Sequence, residues 1–362
     1  MFLIKAILHF VLFVLSSVGI HYYFELNVCV TLLTLIHCYA ASYYVSLWFI
    51  KFAFLFPCTK IKSDNKCVLV TGCDTGFGHQ TALLLNKNGF KVFAACIDSN
   101  GEGAIALRHK AHYPAKMIVI RMDVTSDKDI EAAYETVKSS MANGELLFGL
   151  VNNAGIAKAT EFEWCADIRD GKKVIEVNLM GMIYVTRRFI PLIRQAKGRI
   201  INIESVSAFL PTPYSPFYGT SKYGAAGFSE NLRVSMHKFG VSVVSLMPFF
   251  YKTPICDANR LADEFESSYK TSSEEVRRAY GEQYVKNAQA GMSLTKYAFK
   301  SQTVPKVIAS ALTVYEPDPK YIVAPLLVQP GLRLLLWLPK ETRDAYFQLT
   351  AWFTGTHKAY PD

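Results

Sequence analysis

The chain has 362 residues, 51% of them hydrophobic and 19% charged, and 39 Lys and Arg against 30 Asp and Glu give it a formal charge of +9. That apolar content excludes an intrinsically disordered chain, and the length suits one large or two modest domains. Eight cysteines without a CxxC pair are too sparse for a disulfide scaffold and give no support to a zinc or dithiol site.

The apolar excess lies at the N-terminus. Residues 2–20 contain one charge, Lys5, and residues 28–57 contain one, Lys51. A bilayer core takes about 20 apolar residues as a helix, so residues 1–60 are expected to form a membrane anchor of two transmembrane helices. Tyr22, Tyr23, Tyr43, Tyr44 and Trp48 suit its interfaces. A second apolar segment directly after the first disfavours a cleaved signal peptide, and a first arginine only at Arg108 disfavours a mitochondrial presequence. Lys60, Lys62 and Lys66 put the following chain on the cytoplasmic side. The expected location is the endoplasmic reticulum membrane, with the catalytic domain facing the cytosol.

From residue 66 the pattern changes. Runs apolar on nearly every residue occur at 67–71, 91–96, 117–122, 147–151, 199–203, 241–247 and 321–323. They alternate with amphipathic stretches such as 80–88, 127–141, 173–195 and 222–239. Buried parallel strands read this way, and strand–helix alternation predicts an α/β, Rossmann-type doubly wound parallel sheet. The catalytic domain is expected over 61–325, with a substrate lid at about 249–300 whose clearest helix is 272–285. An apolar C-terminal segment, 326–362, is expected to be membrane-proximal or dimer-contacting.

The first strand runs into Thr71-Gly72-Cys73-Asp74-Thr75-Gly76-Phe77-Gly78 and then a helix. Glycines allow a tight turn and close backbone approach to phosphate, and the helix N-terminus offers N–H donors to a pyrophosphate. Asp98, two residues after the second strand, can accept from adenosine ribose hydroxyls and repel a 2′-phosphate, which favours NAD over NADP. Asp123-Val124-Thr125 follows the third strand, where it either meets the adenine or caps the next helix.

Ser205, Tyr218 and Lys222 carry the candidate chemistry. Residues four apart share a helix face, so the Lys222 ammonium can lie beside the Tyr218 phenol and lower its pKa from about 10. Tyr218 then serves as acid or base between a carbinol and a carbonyl, and the Ser205 hydroxyl holds the substrate oxygen.

TGxxxGxG, Asn152-Asn153-Ala154-Gly155, Asn178, Ser205, Tyr218 and Lys222 together resemble the short-chain dehydrogenase/reductase family over about residues 66–255. The wording VLVTGCDTGFG, LFGLVNNAG, EVNLMG and YGTSKYG is similar to the branch of retinol dehydrogenases, oxidative 11β- and 17β-hydroxysteroid dehydrogenases and D-β-hydroxybutyrate dehydrogenase. In style it is nearest to the membrane-anchored type 2 hydroxysteroid enzymes. The resemblance implies cofactor contacts at Gly72, Asp74, Thr75, Gly76, Phe77 and Gly78, adenine contacts at Asp123 and Val124, and a ribose-side segment at Asn152, Ala154 and Gly155. It implies a proton-relay water held by Asn178, a nicotinamide ribose contact for Lys222 and a carboxamide contact for Thr253. It aligns Asp98 with an acid of the NAD-dependent steroid oxidases, and it implies a homodimer. Two departures stand out: Phe249 follows Pro248 where the family usually has glycine, and Glu204 replaces the first of two frequent serines.

The expected function is NAD-dependent interconversion of a secondary or allylic alcohol and its carbonyl on a lipophilic substrate, a steroid or a retinoid. The alternatives are a short hydroxy acid such as 3-hydroxybutyrate, with Lys158, Lys252 or Gln195 as candidate carboxylate contacts, and a non-catalytic lipid- or cofactor-binding membrane protein. The basic cluster Arg187, Arg188, Arg194, Lys197 and Arg199 reads as a solvated helix end, and nothing supports a nucleic-acid partner or a metal.

Overall fold

A computed structural model of the chain describes residues 10–18, 34, 35, 38, 39, 41, 42, 45, 61–164, 168–293, 298–356 and 358. The chain divides into two units, residues 1–60 and 61–362. In the first, residues 10–18 are helical. No helix among the described residues is long and apolar enough to cross a membrane. Apart from 10–18, 34, 35, 38, 39, 41, 42 and 45, the two transmembrane helices expected at 2–20 and 28–57 lie outside the described residues, and that expectation gains no support here.

The second unit is built on seven parallel strands: β1 (Lys66–Thr71), β2 (Lys91–Cys96), β3 (Met117–Arg121), β4 (Leu146–Asn152), β5 (Arg199–Ile203), β6 (Ser242–Pro248) and β7 (Lys320–Val323). Their order across the sheet is β3-β2-β1-β4-β5-β6-β7. Helices cover both faces, which is why β1 reads as an unbroken apolar run and is buried from Cys67 to Thr71. On one face α1 (Gly76–Lys87) and α10 (Thr303–Thr313) bury Leu85, Ile308 and Leu312 against Val68 and Val151. On the other, α3 (Asp127–Ser140) and α5 (Met182–Gln195) bury Val137, Val185 and Phe189 against Leu69 and Leu150. The strand order reverses between β1 and β4, which opens a crevice at their C-terminal ends.

Helix α2 (Glu102–Lys110) follows β2, and α4 (Ile168–Ile175) leads through a π-helical segment, Glu176–Gly181, into α5. Helix α6 (Pro216–His237) precedes β6. The expected lid helix 272–285 is two helices, α8 (Glu274–Tyr280) and α9 (Glu282–Met292), which follow α7 (Ala258–Thr271). Gly281 between them has φ +75°, a conformation that interrupts a helix and that side chains disfavour. The lid is braced by Trp164, whose ring lies 4.6 Å from Phe265 and 5.9 Å from Tyr284, centroid to centroid. The C-terminal segment forms α11 (Gln329–Trp337) and α12 (Lys340–Thr354).

Arg199 is not part of a solvated helix end. It is buried on β5 and donates to the carbonyls of Ala311, Val314 and Tyr315, the open C-terminus of α10. Burial pulls its pKa down to about 10. Arg188, by contrast, does sit at the surface, paired with Glu131 and stacked on Tyr134.

Candidate active site

A cavity of about 780 Å³ lies at the crevice between β1 and β4. Its floor is the turn from β1 into α1. Gly72 has φ +67°, and a Cβ there would lie 2.8 Å from the Ala154 Cα. A Cβ on Gly78 would lie 2.3 Å from the Gly72 carbonyl oxygen. These two glycines therefore let the turn, the start of α1 and the end of β4 touch. Thr75 heads α1 without a side-chain cap, which leaves the first N–H groups directed to the cavity end. An uncapped helix start at the rim of a narrow glycine-lined trough fits a dinucleotide pyrophosphate. Asn153 locks the trough: its amide donates to the Thr71 and Gly72 carbonyls, and the Asn153 and Ala154 N–H groups donate to the Thr71 hydroxyl.

A second cavity of about 130 Å³ shares Phe77, Asn153, Gly155 and Thr253 with the first. Ser205, Tyr218 and Lys222 meet on its wall. The Ser205 oxygen accepts the Ser207 N–H at 3.1 Å. The Lys222 ammonium lies 5.6 Å from the Tyr218 ring centre and donates to the Ile203 carbonyl at 3.0 Å. Burial lowers the Lys222 pKa to about 8, with Glu204 pulling it back up. Burial also raises Tyr218 above its usual value and Cys256 adds to that, while its hydrogen bond with Ser205 works the other way. Asn178 sits in the π-helical segment, whose wider turn aims it sideways at the strand end. Its oxygen accepts the Ile156 N–H, and its amide donates to the Ile156 carbonyl and the Ser221 hydroxyl.

The profile of the family described as short chain dehydrogenase matches residues 66–264. The chain belongs to this family. Short-chain dehydrogenases are oxidoreductases, and the relatives carry such names. Mouse (Mus musculus) retinol dehydrogenase 16 is 36% identical over 261 residues, 71% of this chain and 80% of the relative. Rattus norvegicus 17-beta-hydroxysteroid dehydrogenase type 6 is 36% identical over 221 residues, 61% and 68% of the two chains. Mitochondrial D-beta-hydroxybutyrate dehydrogenase of Rattus norvegicus is 34% identical over 264 residues, 72% and 77%. A short-chain dehydrogenase crystal structure from Burkholderia phymatum in complex with NAD shares the fold, with a TM-score of 0.61 over 76% of this chain and 94% of that one at 23% identity.

Within this short-chain dehydrogenase the expected residues fall into two groups. Gly72, Asp74, Thr75, Gly76, Phe77, Asp123, Val124, Ala154, Gly155 and Thr253 all line the larger cavity. Gly78, Asp98 and Asn152 do not, and Tyr218 and Lys222 line the smaller cavity. The Asp98 carboxylate turns back to accept the Asn100 N–H in its own loop. Asp74, on the cavity wall with Asp123 and Glu176, accepts the Ile97 and Asp98 N–H groups. Asn152 is buried between strands and donates to Asn202 and Thr186. Its neighbour Asn153, part of the same quoted motif, holds the trough, and only the alternation of a strand signals which of two adjacent asparagines faces it. Arg260 and Glu264 were not foreseen. Arg260 on α7 reaches the Ala157 and Ile255 carbonyls and Glu264, and Glu264 accepts the Ala159 N–H, which clasps the lid to the segment after β4.

Phe249, which stands where the family usually has glycine, is accommodated. Its N–H donates to the Val323 carbonyl, and its ring packs 5.0 Å from Phe250 and 6.4 Å from Phe299.

Proposed function

We propose that the protein oxidises a secondary or allylic alcohol on a lipophilic molecule, a steroid or retinoid, with NAD as hydride acceptor. The observation that carries this is the wall around Tyr218: Phe249, Phe250, Ile255 and Leu261 face it, and Lys222 is the only cation on it among the described residues. Mostly apolar pockets with few polar groups select lipophilic ligands. Lys158, Lys252 and Gln195, the candidate carboxylate contacts of a hydroxy-acid enzyme, are not on that wall. Lys158 instead pairs with Asp170. At about 130 Å³ the cavity is also smaller than the roughly 300 Å³ of ordinary ligand pockets, so a steroid-sized substrate requires the lid helices α7–α9 to move outward.

In this reading the Ser205 hydroxyl holds the alcohol oxygen and the Tyr218 phenolate takes its proton. Lys222 stabilises the phenolate through its charge. Asn178, whose side-chain groups are committed to Ile156 and Ser221, acts as a positioning residue that holds the strand end against α6. The nicotinamide, when bound, supplies the hydride acceptor and a positive ring charge. Gly72, Gly76 and Gly78 leave room for its pyrophosphate, and Asp74 is placed to meet the adenosine ribose. Activity is expected to fall as pH rises past about 8, where Lys222 loses the proton whose charge stabilises the phenolate.

The test is NADH formation by detergent-solubilised protein with a panel of retinol, steroid alcohols and 3-hydroxybutyrate, each with NAD and with NADP. Turnover confined to the lipophilic alcohols with NAD is the expected result, and turnover confined to 3-hydroxybutyrate overturns the reading. Asp74→Asn keeps an acceptor for the Ile97 N–H but removes the charge. It is expected to cut the NAD:NADP ratio of kcat/KM by about tenfold, the scale of one nearby charge. An unchanged ratio would return the selectivity to Asp98.

Membrane association belongs to the same reading. Tyr346, Leu349, Trp352 and Phe353 form an exposed apolar stripe along α12, and Leu326 and Leu327 are 82% and 95% exposed at the start of the C-terminal segment. Apolar stripes of this spacing on a helix suit an interfacial position. Replacing Leu349, Trp352 and Phe353 with Ser is expected to reduce co-flotation of residues 61–362 with lipid vesicles several-fold. Equal flotation of both forms would remove α12 from the membrane contact.

A further inference from the structure

We propose that Glu204 is the buried counter-charge of Lys222, a positioning residue that keeps the lysine an ammonium and sets the upper pH limit of the site. The inference rests on Lys222 being the lysine of the site proposed above. It starts from Ile203, the last residue of β5, whose carbonyl accepts the Lys222 ammonium at 3.0 Å. The next residue is Glu204, 2% exposed, while Lys222 is 3% exposed. An isolated carboxylate so far from water is costly unless paired or hydrogen-bonded.

The surroundings of Glu204 suit its ionised form. One carboxylate oxygen accepts both the Ser229 hydroxyl at 2.6 Å and the Ser245 hydroxyl at 2.8 Å. The Ser229 oxygen itself accepts from the Asn202 amide, and its hydrogen is shared between Glu204 at 2.6 Å and the Ala225 carbonyl at 2.9 Å. The other carboxylate oxygen is buried and has no hydrogen-bond partner among the described residues. A buried ionised oxygen without a donor is costly unless a cation compensates it. The charge is matched by Lys222: on the cavity wall, among the described residues, Glu204 is the only acid and Lys222 the only cation.

The other titratable groups leave this pairing intact. Tyr218, one helical turn from Lys222, and Cys256, from the segment before α7, face the site, and both are pushed toward their neutral forms by burial. Lys320 on β7 acts on Glu204 and, like Lys222, favours its ionised form against the burial that raises its pKa. A negative charge near an ammonium raises the ammonium's pKa, so removing that charge lets Lys222 deprotonate at lower pH.

The experiment reads Lys222 directly. Acetic anhydride labelling of Lys222 in the cofactor-free full chain, followed by mass spectrometry across pH, gives its titration midpoint. The wild-type midpoint is expected near 8. Glu204→Gln, nearly isosteric, is expected to lower it by about one unit, and Glu204→Asp, which keeps the charge, to hold it close to wild type. The alkaline limb of kcat/KM should move with the midpoint. Should the Gln variant not fold, Glu204→Ser removes the charge with a smaller side chain, and the same downward shift is expected. An unmoved midpoint in a folded, charge-free variant overturns the proposal. Labelling needs neither substrate nor turnover, so a wrong assignment of the reaction leaves this result interpretable.

Discussion

Tyr218→Phe is expected to reduce kcat/KM for alcohol oxidation by about 10²–10⁴-fold, the range for losing a positioned general base, with NADH affinity and thermal stability nearly unchanged. The reason for that split is geometric. Phenylalanine keeps the ring that Lys222 faces at 5.6 Å, and Lys222 keeps its bond to the Ile203 carbonyl. Ser205 keeps the Ser207 N–H. Only the phenolic oxygen leaves, so packing survives while the proton acceptor does not. Steady-state NADH fluorescence with a lipophilic alcohol, beside an NADH binding titration, measures both halves. Wild-type turnover in the variant would remove Tyr218 from the chemistry. Loss of NADH binding together with turnover would mean that the hydroxyl serves the fold.

Gly78→Ala is expected to weaken NADH binding by about 10–100-fold and to lower Tm by several degrees. The added methyl would sit 2.3 Å from the Gly72 carbonyl oxygen and 2.4 Å from the Asn153 amide nitrogen. Neither can yield alone. The carbonyl belongs to the turn, and the Asn153 amide is tied to two carbonyls of that turn. Overpacking costs about 1–3 kcal/mol, and each 1.4 kcal/mol is about tenfold in affinity. The strain falls on the N-terminus of α1, where the phosphates are proposed to bind. Gly227→Ala on α6 is the control: nothing lies within 4 Å of its added methyl, so stability should be unchanged or higher by up to about 1 kcal/mol. Equal NADH affinity in the two variants would show that the close approach at Gly78 has no bearing on the cofactor.

Much of the sheet was legible in the chain because parallel strands covered on both faces must be apolar at every position. The runs at 91–96 and 199–203 coincide with β2 and β5, and the others differ by a residue or two at their ends. The lid was less legible. Charge and helix propensity continue smoothly from 272 to 285, and one glycine with positive φ breaks the helix there. Arg199 was misread for a related reason: its neighbours in sequence are basic and exposed, while its partners are the carbonyls of Ala311, Val314 and Tyr315, more than a hundred residues away.

The candidate site divides along the same line. Gly72, Gly76 and Gly78 announce themselves because only glycine tolerates the close contacts at 72 and 78 and the positive φ at 72 and 76, and Tyr218 and Lys222 because four residues make one helical turn. These are local rules, and the sequence by itself determined what they govern: a parallel α/β sheet, a phosphate-sized turn, and a tyrosine–lysine pair on one helix. The tertiary structure alone decided that Asp74 lines the larger cavity while Asp98 turns into its own loop, because the β2–α2 loop folds back over the turn. It also decided that Asn153 rather than Asn152 guards the trough, that Asn178 in a π-helical segment meets Ile156, and that Glu204 and Lys222 end buried on one cavity wall. Each of these depends on contacts between residues distant in sequence, and burial, which sets their charges, exists only once those contacts have formed.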